Sequence, residues 1–234
     1  EMLLRLDHPG LPQVLEAGTV DLGRGPEGFF LVERIDGEPI ADSPATSTGD
    51  LRRRIEHLVP LCEALQELHF HGLFHGRLTP SRIITQDKGE WRLSDPGLLA
   101  SIARAIPDSA AAEKLRDYGG APERPVMSPL SLDGRVDVFD LGRLLNSWIE
   151  GHDGSLAIEL RAIANRATAH DRQERYRSAG EFGDHLKSIL TPSTSDGDLD
   201  NSFAGLTSMA ATILIAVTAA AAFALGVALD GWLF

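Results

Sequence analysis

The 234-residue chain is long enough for one substantial domain and an appendage, and its 43% hydrophobic and 24% charged content excludes wholesale disorder. A formal net charge of -12 argues against a nucleic-acid partner, because nothing would neutralise a row of phosphates. The single cysteine, Cys62, excludes an intrachain disulfide, and within Leu61-Cys62-Glu63-Ala64-Leu65 it reads as a small buried apolar side chain.

The chain starts at Glu1 and not at methionine, which suggests a piece of a longer product, and residues 1–10 carry mixed charge where a signal peptide has an apolar core. Residues 11–17 and 29–35, rich in branched and aromatic side chains with Gly, Pro and Asp between them, predict short strands. Between them Gly23-Arg24-Gly25-Pro26-Glu27-Gly28 spells G-x-G-x-x-G, but no lysine follows until Lys88, so the stretch reads as a turn between strands. From 51 to 70 the apolar Leu51, Ile55, Leu58, Leu61, Leu65 and Leu68 recur at helical spacing and predict one long helix. His69 and His71 close that helix and no cysteine joins them or His75, which speaks against a zinc cluster. Ile83-Ile84 and Trp91-Arg92-Leu93 predict a hairpin around 87–90, and 136–190 reads as helical. An acidic, turn-rich linker follows over 191–202. Residues 203–229 hold no charged side chain, and as a helix they would run roughly 40 Å against a hydrocarbon core of about 30 Å. The expectation is a single transmembrane helix with a short tail, 230–234, arranged as a tail anchor with the domain on the cytoplasmic side.

Several of these segments carry a resemblance. His75-Gly76-Arg77-Leu78-Thr79-Pro80-Ser81-Arg82-Ile83-Ile84 resembles the H-R-D-L-K-P-x-N-I-L catalytic loop of Ser/Thr protein kinases. Downstream, Asp95-Pro96-Gly97 stands in the place of D-F-G, Ala121-Pro122-Glu123 in that of A-P-E, and Asp137-Val138-Phe139-Asp140-Leu141-Gly142 is similar to D-V-W-S-L-G. Arg175-Tyr176, Ser178-Ala179 and Glu181-Phe182 resemble the R-Y-x-S-A-x-E-F of bacterial-type kinase domains, Leu6-Asp7-His8-Pro9 the turn after helix C, and Leu31-Val32-Glu33 the hinge. Together they imply an α+β, protein-kinase-like fold: an incomplete β-rich N-lobe with hinge over 1–40, and a helical C-lobe over 41–190.

The resemblance divides the site residues into two groups. It implies that Glu123 pairs with Arg175 beneath the activation segment, that Asp137 caps the catalytic-loop backbone and that His75 packs against it. In the chemistry itself, Arg77 takes the position of the catalytic aspartate, Thr79 that of the neighbouring lysine and Arg82 that of the metal-binding asparagine. A guanidinium accepts no proton, so Arg77 cannot be the base. Asp95 is left as a lone carboxylate, either a ligand for a metal or nucleotide or a hydrogen-bonding residue at a turn, Pro96 replaces the phenylalanine beside it, and Glu33 marks the hinge contact. The helix C glutamate, strand lysine and glycine-rich loop should lie before residue 1, so ATP with Mg is expected only if such a segment precedes it.

The favoured expectation is a membrane-anchored pseudokinase, a binding or scaffold module in signalling that meets protein partners through its C-lobe. The alternatives are an active, divergent Ser/Thr kinase, in which Asp87 or Glu90 would have to serve as base, and a structural membrane protein with a vestigial kinase domain. Arg77, Arg82 and Arg92, if they converge on the cleft, would make an anion pocket for a phosphorylated peptide or nucleotide phosphate.

Overall fold

A computed structural model describes residues 3–191, except 22, 24, 25, 88, 107–109 and 119. After a short helical turn at Leu3–Arg5 and a tight turn in which the Leu11 N–H donates to the His8 carbonyl (2.9 Å), the chain enters strand β1 (Val14–Asp21). Leu11 therefore sits in the turn and not in the strand. Strand β2 (Pro26–Val32) returns antiparallel, in register from Val14↔Val32 to Asp21↔Pro26 with a bulge near Glu16. Of the G-x-G-x-x-G stretch, residues 26–28 open β2.

Strand β3 (Glu38–Pro39) then pairs antiparallel with β4 (Ile83–Thr85), and β4 with β5 (Trp91–Leu93). The sequence reading had grouped 38–40 with the first lobe. Its hydrogen bonds instead join it to the second, because the Ile40 N–H donates to the Ile83 carbonyl at 2.9 Å.

Helix α1 (Thr48–Phe70) begins where the Ser47 hydroxyl accepts the Asp50 N–H at 3.1 Å, an N-cap that extends the expected helix by a turn. Its stripe of Leu51, Ile55, Leu58, Leu61, Leu65 and Leu68 is wholly buried, as is Cys62, whose thiol burial pushes to a higher pKa. Helices α2 (Leu98–Ala105) and α3 (Ala110–Asp117) precede three longer ones, α4 (Arg135–Trp148), α5 (Ser155–Ala167) and α6 (Ala179–Leu190). α1, α4, α5 and α6 enclose the main apolar core, to which Leu3, Leu6, Leu11 and Val14 bring the first segment. A second, smaller cluster joins Phe74 to Ala100, Ala103, Ala112, Leu115, Ala121, Leu132 and Val136. It binds α2 and α3, which the sequence reading did not foresee, onto the start of the 75–84 loop.

The expected linker from 192 on, the membrane span at 203–229 and the tail lie outside the described residues. Among the described residues no helix is long and apolar enough to cross a membrane.

Candidate functional site

The 75–84 segment leaves the end of α1, turns at Gly76 and enters β4. Its inner side is held by α4. Asp137, in the first turn of that helix and fully buried, accepts the His75 N–H (2.8 Å) on one oxygen and the Gly76 N–H (2.7 Å) on the other. His69, at the end of α1, meets the same carboxylate at 3.0 Å. Burial works against the Asp137 charge, yet His69, His75 and the Gly76 N–H hold its pKa below the ordinary carboxylate range.

One turn along α4, Asp140 makes a second brace. Arg124 donates to Asp140 (2.5 Å) and to the Gly76 carbonyl (2.6 Å), while the Leu78 N–H reaches Asp140 at 3.3 Å. Arg124 and Asp140 are both buried, and burial pushes the Asp140 carboxyl up to about 6 despite the guanidinium, with Asp137 adding to the rise. Arg175 forms a two-pronged pair with Glu123, at 2.8 and 2.9 Å, and its Nε–H donates to the Ala169 carbonyl at 2.8 Å. Neither the Arg124–Asp140 pair nor its grip on the loop was foreseen. The signal was present: an arginine directly after Ala121-Pro122-Glu123, and an aspartate where D-V-W-S-L-G has serine.

The outer side is different. The Arg77 side chain is exposed and lies over the Tyr118 ring at 5.3 Å, with no carboxylate partner among the described residues. Tyr118 follows α3 directly. It lines a pocket together with Thr79, and Arg124 also lies by its ring, at 5.1 Å. Burial and the Asp140 charge raise the Tyr118 pKa, against Arg124, Thr79 and Arg77. Gly76, where the kinase pattern has arginine, adopts φ +76, and a Cβ there would lie 3.0 Å from both Ala100 and Leu115. The helices α2 and α3 thus occupy the space a side chain at 76 would need.

Asp95 is engaged by its own loop. One oxygen accepts the N–H groups of Gly97 (2.9 Å) and Leu98 (3.2 Å) at the start of α2. The other faces His75 at 3.7 Å and Arg82 at 3.6 Å. Burial raises its pKa, but His75, the two N–H groups and Arg82 outweigh it and leave the carboxyl below its usual range. Gly97 fits this turn with φ +79 and would place a Cβ 2.5 Å from the Phe74 carbonyl oxygen.

These residues do not fit an ATP-bound metal pair. Arg82 offers no acceptor and directs its cation at the one remaining carboxylate. Among the described residues no three His, Cys, Asp or Glu side chains gather as a metal would require. Asp87 and Glu90, the candidate substitute bases, sit in the β4–β5 turn, where a Cβ on Gly89 would lie 3.9 Å from His57 of α1.

Glu33, expected at the hinge, is tied to the lobe interface. Arg92 donates to both its oxygens at 2.9 Å, the Gln13 N–H adds a third bond at 3.1 Å, and Glu33 returns its own N–H to the Gln13 carbonyl at 2.8 Å. The Arg92 hydrogen bond is the chief reason its pKa falls. Of the three arginines that could have made an anion pocket, Glu33 holds Arg92 and Asp95 faces Arg82, which leaves Arg77 as the one without a carboxylate partner among the described residues.

No family model matches the chain. It is 26% identical over 211 residues to the serine/threonine-protein kinase PknB of Mycobacterium leprae, covering 76% of this chain and 33% of that protein. It is 33% identical over 154 residues to the DNA damage-responsive serine/threonine-protein kinase RqkA of Deinococcus radiodurans, covering 61% of this chain and 21% of the relative. The chain thus spans about a third or less of the length of the curated relatives it matches. Among solved structures, the PknI kinase domain of Mycobacterium tuberculosis superposes with a TM-score of 0.56 at 20% identity, covering 80% of this chain and 75% of that one. The fold is that of a Ser/Thr protein-kinase-like domain with mixed strand and helix content.

Proposed function

We propose that this chain is a catalytically impaired kinase-like module that acts in signalling by binding other proteins through its helical lobe. The span at 203–229 anchors it to a membrane, with the domain on the cytoplasmic side. One observation carries the reading: at the position of the proton-accepting aspartate stands Arg77, a group that cannot take a proton and repels metal ions. Two features support it. Arg82 faces Asp95 at 3.6 Å, and α2 and α3 fill the space beside Gly76.

The test is phosphoryl transfer. Full-length protein incubated with Mg-ATP and generic acceptor proteins should label neither itself nor them, and Mg-ATP should leave its melting temperature unchanged. A nucleotide at a hundred times its dissociation constant would stabilise the fold by about 2.7 kcal/mol, which a melting scan detects. Labelling that vanishes in Asp95→Asn would sink the reading.

A second reading, an active but divergent Ser/Thr kinase, is favoured by the similarity to PknB over 76% of the chain. It needs a base other than the residue at 77, and Asp87→Asn or Glu90→Gln should then abolish transfer.

A further inference from the structure

We propose that Arg77, Lys114 and Tyr118 form a receiving site for the phosphoryl group of a phosphorylated peptide. This deepens the module reading above and rests on it, since a guanidinium at 77 suits holding a phosphate and not transferring one.

The argument begins with an imbalance of charge. The protein carries a net charge of -12, and four arginines around the loop are matched: Arg82 by Asp95, Arg92 by Glu33, Arg124 by Asp140 and Arg175 by Glu123. Arg77 and Lys114 have no ion pair or side-chain hydrogen bond among the described residues. Both line one open cavity of about 410 Å³, together with Leu99, Asp117 and Tyr118. The Asp117 carboxylate stands at this cavity without pairing to either cation, so an anion entering it meets two positive charges and one negative.

Geometry prepares the site. The Arg77 guanidinium lies over the Tyr118 ring at 5.3 Å, which restrains its plane and leaves its N–H edges available to two oxygens of a phosphoryl group. Tyr118 is in turn flanked by Arg124, 5.1 Å from its ring, whose guanidinium is anchored to the Gly76 carbonyl at 2.6 Å. A restrained fork loses less freedom on binding than a free surface arginine. Lys114 on α3 adds a point charge from the opposite element. Leu99 and the tyrosine ring supply an apolar floor for the residues beside a phosphorylated side chain, which favours a peptide over free phosphate.

The experiment is fluorescence polarisation on the full chain in detergent, with a labelled degenerate peptide library bearing a central phosphothreonine and the same library unphosphorylated. The phosphorylated library should bind at least about tenfold more tightly, and Arg77→Ala and Lys114→Ala should each weaken it by about tenfold while the melting temperature stays unchanged. Equal affinity for the two libraries overturns the site, as does parental affinity in both variants. ATP binding as tightly as the phosphopeptide, in competition, assigns the site to a nucleotide and overturns the peptide proposal, whereas competition by inorganic phosphate only at far higher concentration supports it. Phosphoryl transfer in the separate labelling assay would remove the impaired-enzyme reading without touching the difference between libraries, so the two failures are distinguishable.

Discussion

The two sides of the 75–84 loop obey different rules. On the inner side Asp137, Asp140, Arg124, Glu123 and Arg175 are all buried, and each charge meets an opposite charge, a ring nitrogen or a backbone group. On the outer side Arg77 is exposed, Thr79 and Arg82 are half-buried, and only Arg82 faces a carboxylate. A buried charge that loses its partner destabilises the whole fold, whereas an exposed one costs little. The inner set is therefore constrained by folding itself. The outer set is free of that constraint, and it is there that the residues depart from the kinase catalytic-loop motif.

The largest test of that contrast is Glu123→Ala. It strands the fully buried Arg175 guanidinium and should cost about 3–5 kcal/mol in chemical denaturation. Replacing both partners with apolar residues of similar volume should recover much of that loss. Asp137→Ala comes next. It removes the acceptor of two buried N–H groups and should cost about 2–3 kcal/mol, with α1 and the loop loosening together in hydrogen exchange.

A pH series sharpens the comparison further. Asp137 and Asp95 have lowered pKa values, so their stabilising contribution is present above the ordinary carboxylate pKa near 4 and is lost as pH falls below it. Asp140 works in the opposite sense. With its pKa raised to about 6, it favours the fold when protonated, and that contribution fades as pH rises from about 4 through 6. Denaturation midpoints should rise slightly from pH 7 to 4 and then fall, and Asp140→Asn should erase the rise while leaving the acid fall. The smallest effect belongs to the outer side: Arg82→Ala should change stability by no more than about 0.5 kcal/mol.

Much of the inner side was legible in the sequence, because its residues recur at motif positions whose spacing survives. His75, Glu123, Asp137 and Arg175 all lie where the resemblance implied, and the apolar stripe of α1 announced the main core. Charges at unaccustomed positions were harder to read. Arg124 and Asp140 depart from the motif at two separate positions, and only the fold shows that one reaches the other beside the loop backbone. The helices α2 and α3 are short, and α2 starts after a turn in which Asp95 accepts the Gly97 and Leu98 N–H groups, one of the two roles the motif leaves open for that carboxylate. Arg92 misled for the same reason: its partner, Glu33, belongs to the other lobe.

Gly76 limits what this loop can hold. An Arg77→Asp substitution would place a carboxylate on the exposed side of the loop, whereas the neighbouring position is tightly confined. At φ +76, with Ala100 and Leu115 each 3.0 Å from where a Cβ would stand, any larger residue is strained in its backbone and must displace side chains of α2 and α3. Placing a side chain at 76 would demand matching changes in α2 and α3, so the packing ties the identity of this one loop residue to two helices that follow it in the chain.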